Sequence, residues 1–92
     1  MKAETKLVVK HEAGLHARPG ALFVRTAGKF QSEIRVRNVT RGSGMALAKS
    51  MIGVLTLGVL NGHEIHLEAD GPDADAALAE LRALIESNFG EA

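Results

Sequence analysis

The chain has 92 residues, and its eleven Lys and Arg balance its eleven Asp and Glu, so no net charge draws it toward nucleic acid. It holds no cysteine, which excludes disulfides and thiolate chemistry and fits the cytosol. A chain of this length favours one domain, expected over residues 1–92. Aromatics are limited to three Phe, so the core must be built from Val, Leu, Ile and Ala. The first apolar run, Leu7 to Val9, is too short for a signal-peptide core. The longest, Met51 to Leu60, is interrupted by Gly53, Thr56 and Gly58. It falls short of the ~20 residues needed to cross a bilayer. A cytoplasmic protein without membrane insertion is therefore expected.

Thr5 to Lys10 reads as the first strand, broken by Glu12-Ala13-Gly14. From Ala17 to about Gly28 the spacing is helical. Leu22, Phe23, Thr26, Ala27 and Phe30 recur at steps of three and four and make one buried stripe. Glu33 to Arg37 alternates charged and apolar, as a half-buried strand does, with Ile34 and Val36 inward. Thr40 to Gly44 is turn-rich. A short strand is placed near Met45 to Leu47, a short helix over Lys49 to about Leu55, and a connection over Gly58 to Gly62.

His63 to Ala69 alternates again, with Ile65, Leu67 and Ala69 on one face. Asp70-Gly71-Pro72-Asp73 opens the last helix, with proline in its first turn. Leu78, Leu81, Leu84 and Ile85 form its apolar stripe. The order is β-α-β-β-α-β-α. Alternating strands have one wet face, so the helices should all cover the other. The fold class is α+β: a two-layer open-faced sandwich, with three helices over a mainly antiparallel four-stranded sheet.

Gly14-Leu15-His16-Ala17-Arg18-Pro19-Gly20 carries the chemistry. Two glycines free the backbone at a strand-to-helix junction. His16 sits near the N-cap, and Pro19 in the first turn loses nothing by lacking an N–H. Free N–H groups and the helix dipole favour an anion there. Arg18 adds a charge suited to phosphate oxygens. An unprotonated imidazole nitrogen in this setting can accept a phosphoryl group. The blander reading, a histidine that merely caps a helix, would be preferred for the residue in isolation.

Two segments shift that balance. Gly14-Leu15-His16-Ala17-Arg18-Pro19 after a first strand resembles the active-site signature of the HPr phosphocarrier family. Ala48-Lys49-Ser50-Met51-Ile52-Gly53-Val54 resembles the family's second signature, around a regulatory serine. The resemblance runs from about Thr5 to Phe89. It implies that His16 takes phosphate from enzyme I on Nδ1 and passes it to enzyme IIA domains for sugar uptake. Arg18 would assist the phosphorylated state, and Pro19 would be structural. The protein would be a stoichiometric carrier rather than a stand-alone catalyst, without cofactor or resident metal, and a monomer. Ser50 would be the site of an HPr kinase/phosphorylase, with a transcriptional regulator as a further partner; the plain alternative is an N-cap. Met51, Ile52 and Leu55 would form the partner-docking patch, flanked by Phe23, Arg25 and Lys29. A regulatory paralogue, of the nitrogen branch or binding a transcription factor, is the alternative within the family.

The chain departs from the family pattern in places. Ala13 stands where many members carry Ser or Asn, Gly20 replaces a usual Ala and is expected to loosen the first turn, and the turn from Thr40 to Met45 is longer. The remaining histidines read as surface residues. His66 is expected in solvent, His63 at a strand start, and His11 at a strand edge, bordering the site. On a strand, His63 and His66 point to opposite faces and cannot chelate as a pair.

Overall fold

A computed structural model describes residues 1–91 of the chain. In chain order it holds β1 (Lys2–Val8), α1 (Ala17–Ala27), β2 (Glu33–Asn38), β3 (Ala46–Leu47), α2 (Met51–Thr56), β4 (Glu64–Asp70) and α3 (Ala74–Glu86). A 3-10 turn, Asn88–Gly90, follows α3. The strands form one antiparallel sheet in the order β1-β4-β2-β3. The expected class and element order are therefore those observed.

Side-chain alternation sets the register. Leu7, Ile34, Val36, Ile65, Leu67 and Ala69 point inward and are buried. Their partners across the ladder, such as Leu7 with Ile65 and Val36 with Leu67, share that face. A slip of one residue would turn the whole set to water. Against it pack Phe23 and Ala27 of α1, Val54 of α2, and Ala77, Leu78, Leu81 and Ile85 of α3. Each large aliphatic side chain buried in this way contributes about 1.5–3 kcal/mol.

The element boundaries shift where hydrogen bonding overrides composition. β1 starts at Lys2, not Thr5, because Lys2 already pairs with Asp70. It leaves the regular ladder after Val8, although Val9 still exchanges bonds with the loop before β4: its N–H donates to His63 O (2.9 Å) and its carbonyl accepts from Gly62 N (2.7 Å). α2 starts at Met51 because Ser50 caps it; Lys49 instead extends its ammonium to Phe30 O (2.6 Å). α3 starts at Ala74, so Pro72 lies before the N-cap rather than in the first turn. Leu84 is half-buried, and Ala74 and Ala77 complete the buried stripe in its place.

The wet face of the sheet is densely charged. Lys2, Glu4 and Lys6 of β1, Glu64, His66, Glu68 and Asp70 of β4, and Glu33, Arg35 and Arg37 of β2 alternate with the inward residues. Its ion pairs are exposed and worth little singly. His66 is not in solvent as expected: only 7% of its surface is exposed. Arg37 Nε donates to its Nδ1 (3.3 Å), and its Nε2 meets Glu4 Oε1 at 3.0 Å. Long neighbouring side chains on the adjacent strands cover the ring.

Two polar clusters fasten the connections. Buried Asn38 directs its amide nitrogen at Leu57 O (3.1 Å), Gly58 O (3.4 Å) and His63 Nδ1 (3.1 Å), and its oxygen accepts from Arg41 N. Asp73 reaches back to the start of β2, accepting from Gln31 N, Ser32 N and the Ser32 hydroxyl (2.5 Å). The Ser32 hydroxyl, then the Gln31 N–H, lower the Asp73 carboxyl from 3.8 to about 2.

Replacing Asn38 with Leu leaves buried carbonyls without a donor, at a cost of about 1–3 kcal/mol, read as a lower midpoint in urea denaturation. Because the folded state lowers the Asp73 carboxyl, its contribution is complete above pH 3.8 and is lost as pH falls toward about 2. The stability difference between the native protein and Asp73→Asn should therefore shrink across that window in acid titrations of unfolding.

Candidate functional site

The site is built on the passage from β1 to α1. Gly14 turns the chain at φ +60°, and a Cβ there would lie 2.0 Å from Val59 O. Only glycine allows both that conformation and that approach. Leu15 is buried and donates its N–H to Val59 O (3.1 Å). His16 then stands as N-cap of α1 in extended conformation, half-exposed. Its N–H donates to Ala13 O (3.2 Å), and its carbonyl accepts from Gly20 N (3.3 Å). Its ring makes no hydrogen bond among the described residues and no capping bond. The ring is thus presented, not stored.

Ala17 has φ +50°, the left-handed region, which costs a non-glycine residue roughly 1–2 kcal/mol. Anchored Leu15 on one side and buried Pro19 on the other hold it there. The N–H groups of Ala17 and Arg18 donate to no acceptor among the described residues, and Pro19 has none to donate. Arg18 is exposed and forms no ion pair among them. The end of α1 therefore offers an unbonded imidazole, two N–H groups and a guanidinium without partners among the described residues, and a helix dipole. Gly20 does not loosen this turn. A Cβ there would lie 2.5 Å from Leu15 O, so the missing side chain lets α1 close against the loop.

Met51 Cε would be 3.5 Å from that same added Cβ, which places α2 beside the first turn of α1. Ser50 is the N-cap of α2 and accepts from Gly53 N at 3.0 Å. Ile52 is 76% exposed, and Met51 and Leu55 are half-buried. Of the three, Met51 meets the first turn of α1, and Ile52 is the one that α2 leaves exposed. Arg25 is exposed on α1. Phe23 does not belong to the patch. It is wholly buried, since its position in the helical stripe turns it into the core. Lys29 lies beyond the far end of α1, where it pairs with Glu80 of α3 (3.2 Å). It does not flank the His16 end.

Three groupings were not legible from the sequence. Val59 acts through its carbonyl, and backbone acceptors leave no side-chain signature. His11, expected at the surface, is 8% exposed and faces Glu91, eighty positions on. Glu4, His66 and Glu68 bring one ligand-type atom each within 4.8 Å of one another on the wet face. There both ring nitrogens of His66 are engaged by Arg37 and Glu4.

Comparison with known proteins places this geometry. The family model described as "PTS HPr component phosphorylation site" matches residues 3–87. The chain is 46% identical over 83 residues to the multiphosphoryl transfer protein of Vibrio cholerae, an alignment that covers 90% of this chain and 21% of that protein. The chain spans about a fifth of the length of such relatives. It is 40% identical over 84 residues to phosphocarrier protein HPr of Treponema pallidum, covering 90% of this chain and 91% of that one. The crystal structure of HPr-C-His from Thermoanaerobacter tengcongensis superposes with a TM-score of 0.92 at 44% identity, covering 98% of both chains.

Gly14→Ala should destabilise the protein by about 2 kcal/mol or more, through the left-handed backbone and the contact with Val59 O together. Chemical denaturation measures it.

Proposed function

The chain belongs to the HPr family of phosphocarriers, and from that premise we propose that His16 accepts a phosphoryl group from phosphorylated enzyme I and passes it to enzyme IIA domains. The observation that carries this reading is the unbonded, half-exposed His16 ring at a helix end with free N–H groups.

In the proposed step the Nδ1 lone pair of His16 attacks phosphorus. The N–P bond to His16 forms as the donor's bond to phosphorus breaks, and the ring keeps its Nε2 proton. The phosphoryl oxygens face the N–H groups of Ala17 and Arg18, and the Arg18 guanidinium adds charge-assisted bonds. Ala13 offers no side-chain donor, so the backbone and Arg18 share the stabilisation. Met51, Ile52 and Leu55 supply apolar contact with partners, and Arg25 steers an acidic one.

Ser50 is proposed as a regulatory site for an HPr kinase/phosphorylase. A phosphate there adds about two negative charges beside the same docking patch and replaces the hydroxyl that accepts from Gly53 N. It would act on partner choice, including a transcriptional regulator. The reading also takes the protein to be a monomeric, cytoplasmic carrier of one domain, residues 1–92, that needs no cofactor of its own. No helix among the described residues is long and apolar enough to cross a membrane.

Incubation with enzyme I, magnesium and phosphoenolpyruvate should add one phosphate, read by intact mass at mildly alkaline pH in the cold. His16→Ala should add none. Arg18→Ala should slow uptake by about two- to fivefold, the worth of one exposed, solvent-screened ion pair. Ile52→Asp should weaken the complex with enzyme I without unfolding the protein. Repeating the assay with a nitrogen-branch enzyme I separates the two pathways, and failure with both donors would sink the carrier reading.

A further inference from the structure

We infer that His11, held by Glu91, is a positioning residue for the His16 loop. The inference rests on the reading of His16 as phosphoryl acceptor.

Four consecutive N–H groups lead up to the site, and each is bonded. Ala13 N donates to His11 Nδ1 (2.9 Å) and Gly14 N to His11 O (2.8 Å). Leu15 N donates to Val59 O (3.1 Å) and His16 N to Ala13 O (3.2 Å). His11 takes two of the four, one through its side chain. It supplies the only side-chain bond to this run of N–H groups among the described residues. The next two N–H groups, of Ala17 and Arg18, are the free ones that face the phosphate. Where those two point depends on how firmly the preceding four are held.

An Nδ1 that accepts from Ala13 must be unprotonated, so the neutral ring carries its proton on Nε2. That nitrogen lies 3.0 Å from Glu91 Oε2, which accepts the proton's hydrogen bond and fixes the tautomer. Phe89 stacks edge-on to the ring, with centroids 5.5 Å apart and planes at 89°. Asn88 and Phe89 both adopt left-handed φ, of +55° and +58°. That double turn buries Phe89 and brings Glu91 back to His11. The segment after α3 is thereby tied to the loop before α1, and the tie ends one peptide from the turn that presents His16.

The test compares His11→Leu, His11→Asn and Glu91→Gln in the full chain. Phosphoryl uptake rate from phosphorylated enzyme I, melting temperature, and the through-hydrogen-bond coupling between Ala13 N and His11 Nδ1 are measured. Asparagine has an oxygen that accepts from the N–H two residues on, and Gln at 91 still accepts from Nε2–H. His11→Leu should slow uptake by roughly tenfold, less than the hundredfold that a full 1 Å misplacement costs. His11→Asn should restore most of the rate, and Glu91→Gln should stay near the native rate. Leu78→Ala, a core variant on α3, serves as the stability control and should keep native uptake despite a lower melting temperature. Native uptake in His11→Leu, no rescue by His11→Asn, or equal slowing in Leu78→Ala would each overturn the positioning role. Absence of any phosphate on the native protein would overturn the carrier reading itself, and a coupling still observed then would mark the His11–Ala13 bond as structural only.

Discussion

The carbonyl of Val59 stands where three parts of the chain meet, and the site depends on it. It accepts from Leu15 N and lies so close to Gly14 that no side chain fits between. The loop that carries it is anchored from below by buried Asn38, which binds Leu57 O, Gly58 O and His63 Nδ1. It is anchored from the side by Val9, which pairs with His63 and Gly62. A connection between α2 and β4 would ordinarily be mobile. Here it is hydrogen-bonded to Asn38 and to Val9, so it can act as the abutment for the turn that presents His16. Weakening Asn38 would thus be felt at a histidine it never touches.

The fold divides its charge by layer. The sheet's wet face mixes both signs closely, and its pairs largely cancel. The helical side keeps Arg18, in the first turn of α1, and Arg25, in its last, exposed and without an ion pair among the described residues. A chain with no net charge can in this way leave cations uncompensated on one of its layers. The same arrangement keeps the site clear of the sheet. His16, Met51 and Ile52 all belong to the helical layer, whose α1 and α2 pack on each other. A partner can then cover the site without disturbing the strand ladder.

Much of this was legible in the residues. Period-two alternation placed β2 and β4, and a three-and-four stripe placed α1, because burial on one face leaves a periodic mark. The junction glycine, His16, Arg18 and Pro19 were visible for the same reason: each is a residue type that its local geometry requires. What escaped was non-local. Phe23 was read both in the buried stripe of α1 and beside the docking patch, and its packing on the sheet decides for the stripe. His66 looked solvated until Arg37 and Glu4, on two other strands, closed over it. His11 found its partner eighty residues away, and no pattern within a window of a dozen residues can show that. Gly20 was misread as a loosening, since its purpose lies in the Leu15 carbonyl it admits.

A carrier of the proposed kind must hold its phosphate and still give it up, and the magnitudes expected at this helix end fit that demand. A helix terminus contributes about 0.3–1 kcal/mol to an exposed anion. An exposed arginine adds about 0.2–1 kcal/mol. Together they reach about 2 kcal/mol at most, a bias in an equilibrium of about thirtyfold or less. Burying the site in a closed pocket would raise both figures, and the phosphoryl group would then sit in a well that the next acceptor could not empty. A half-exposed ring on a rigid turn avoids this. The precision comes from the backbone beneath His16, where Gly14, Leu15 and Val59 are locked together. The weakness comes from the solvent above it, which screens Arg18 and the helix end alike. Rigidity and weak binding are thus assigned to different atoms, and the proposed carrier role needs both.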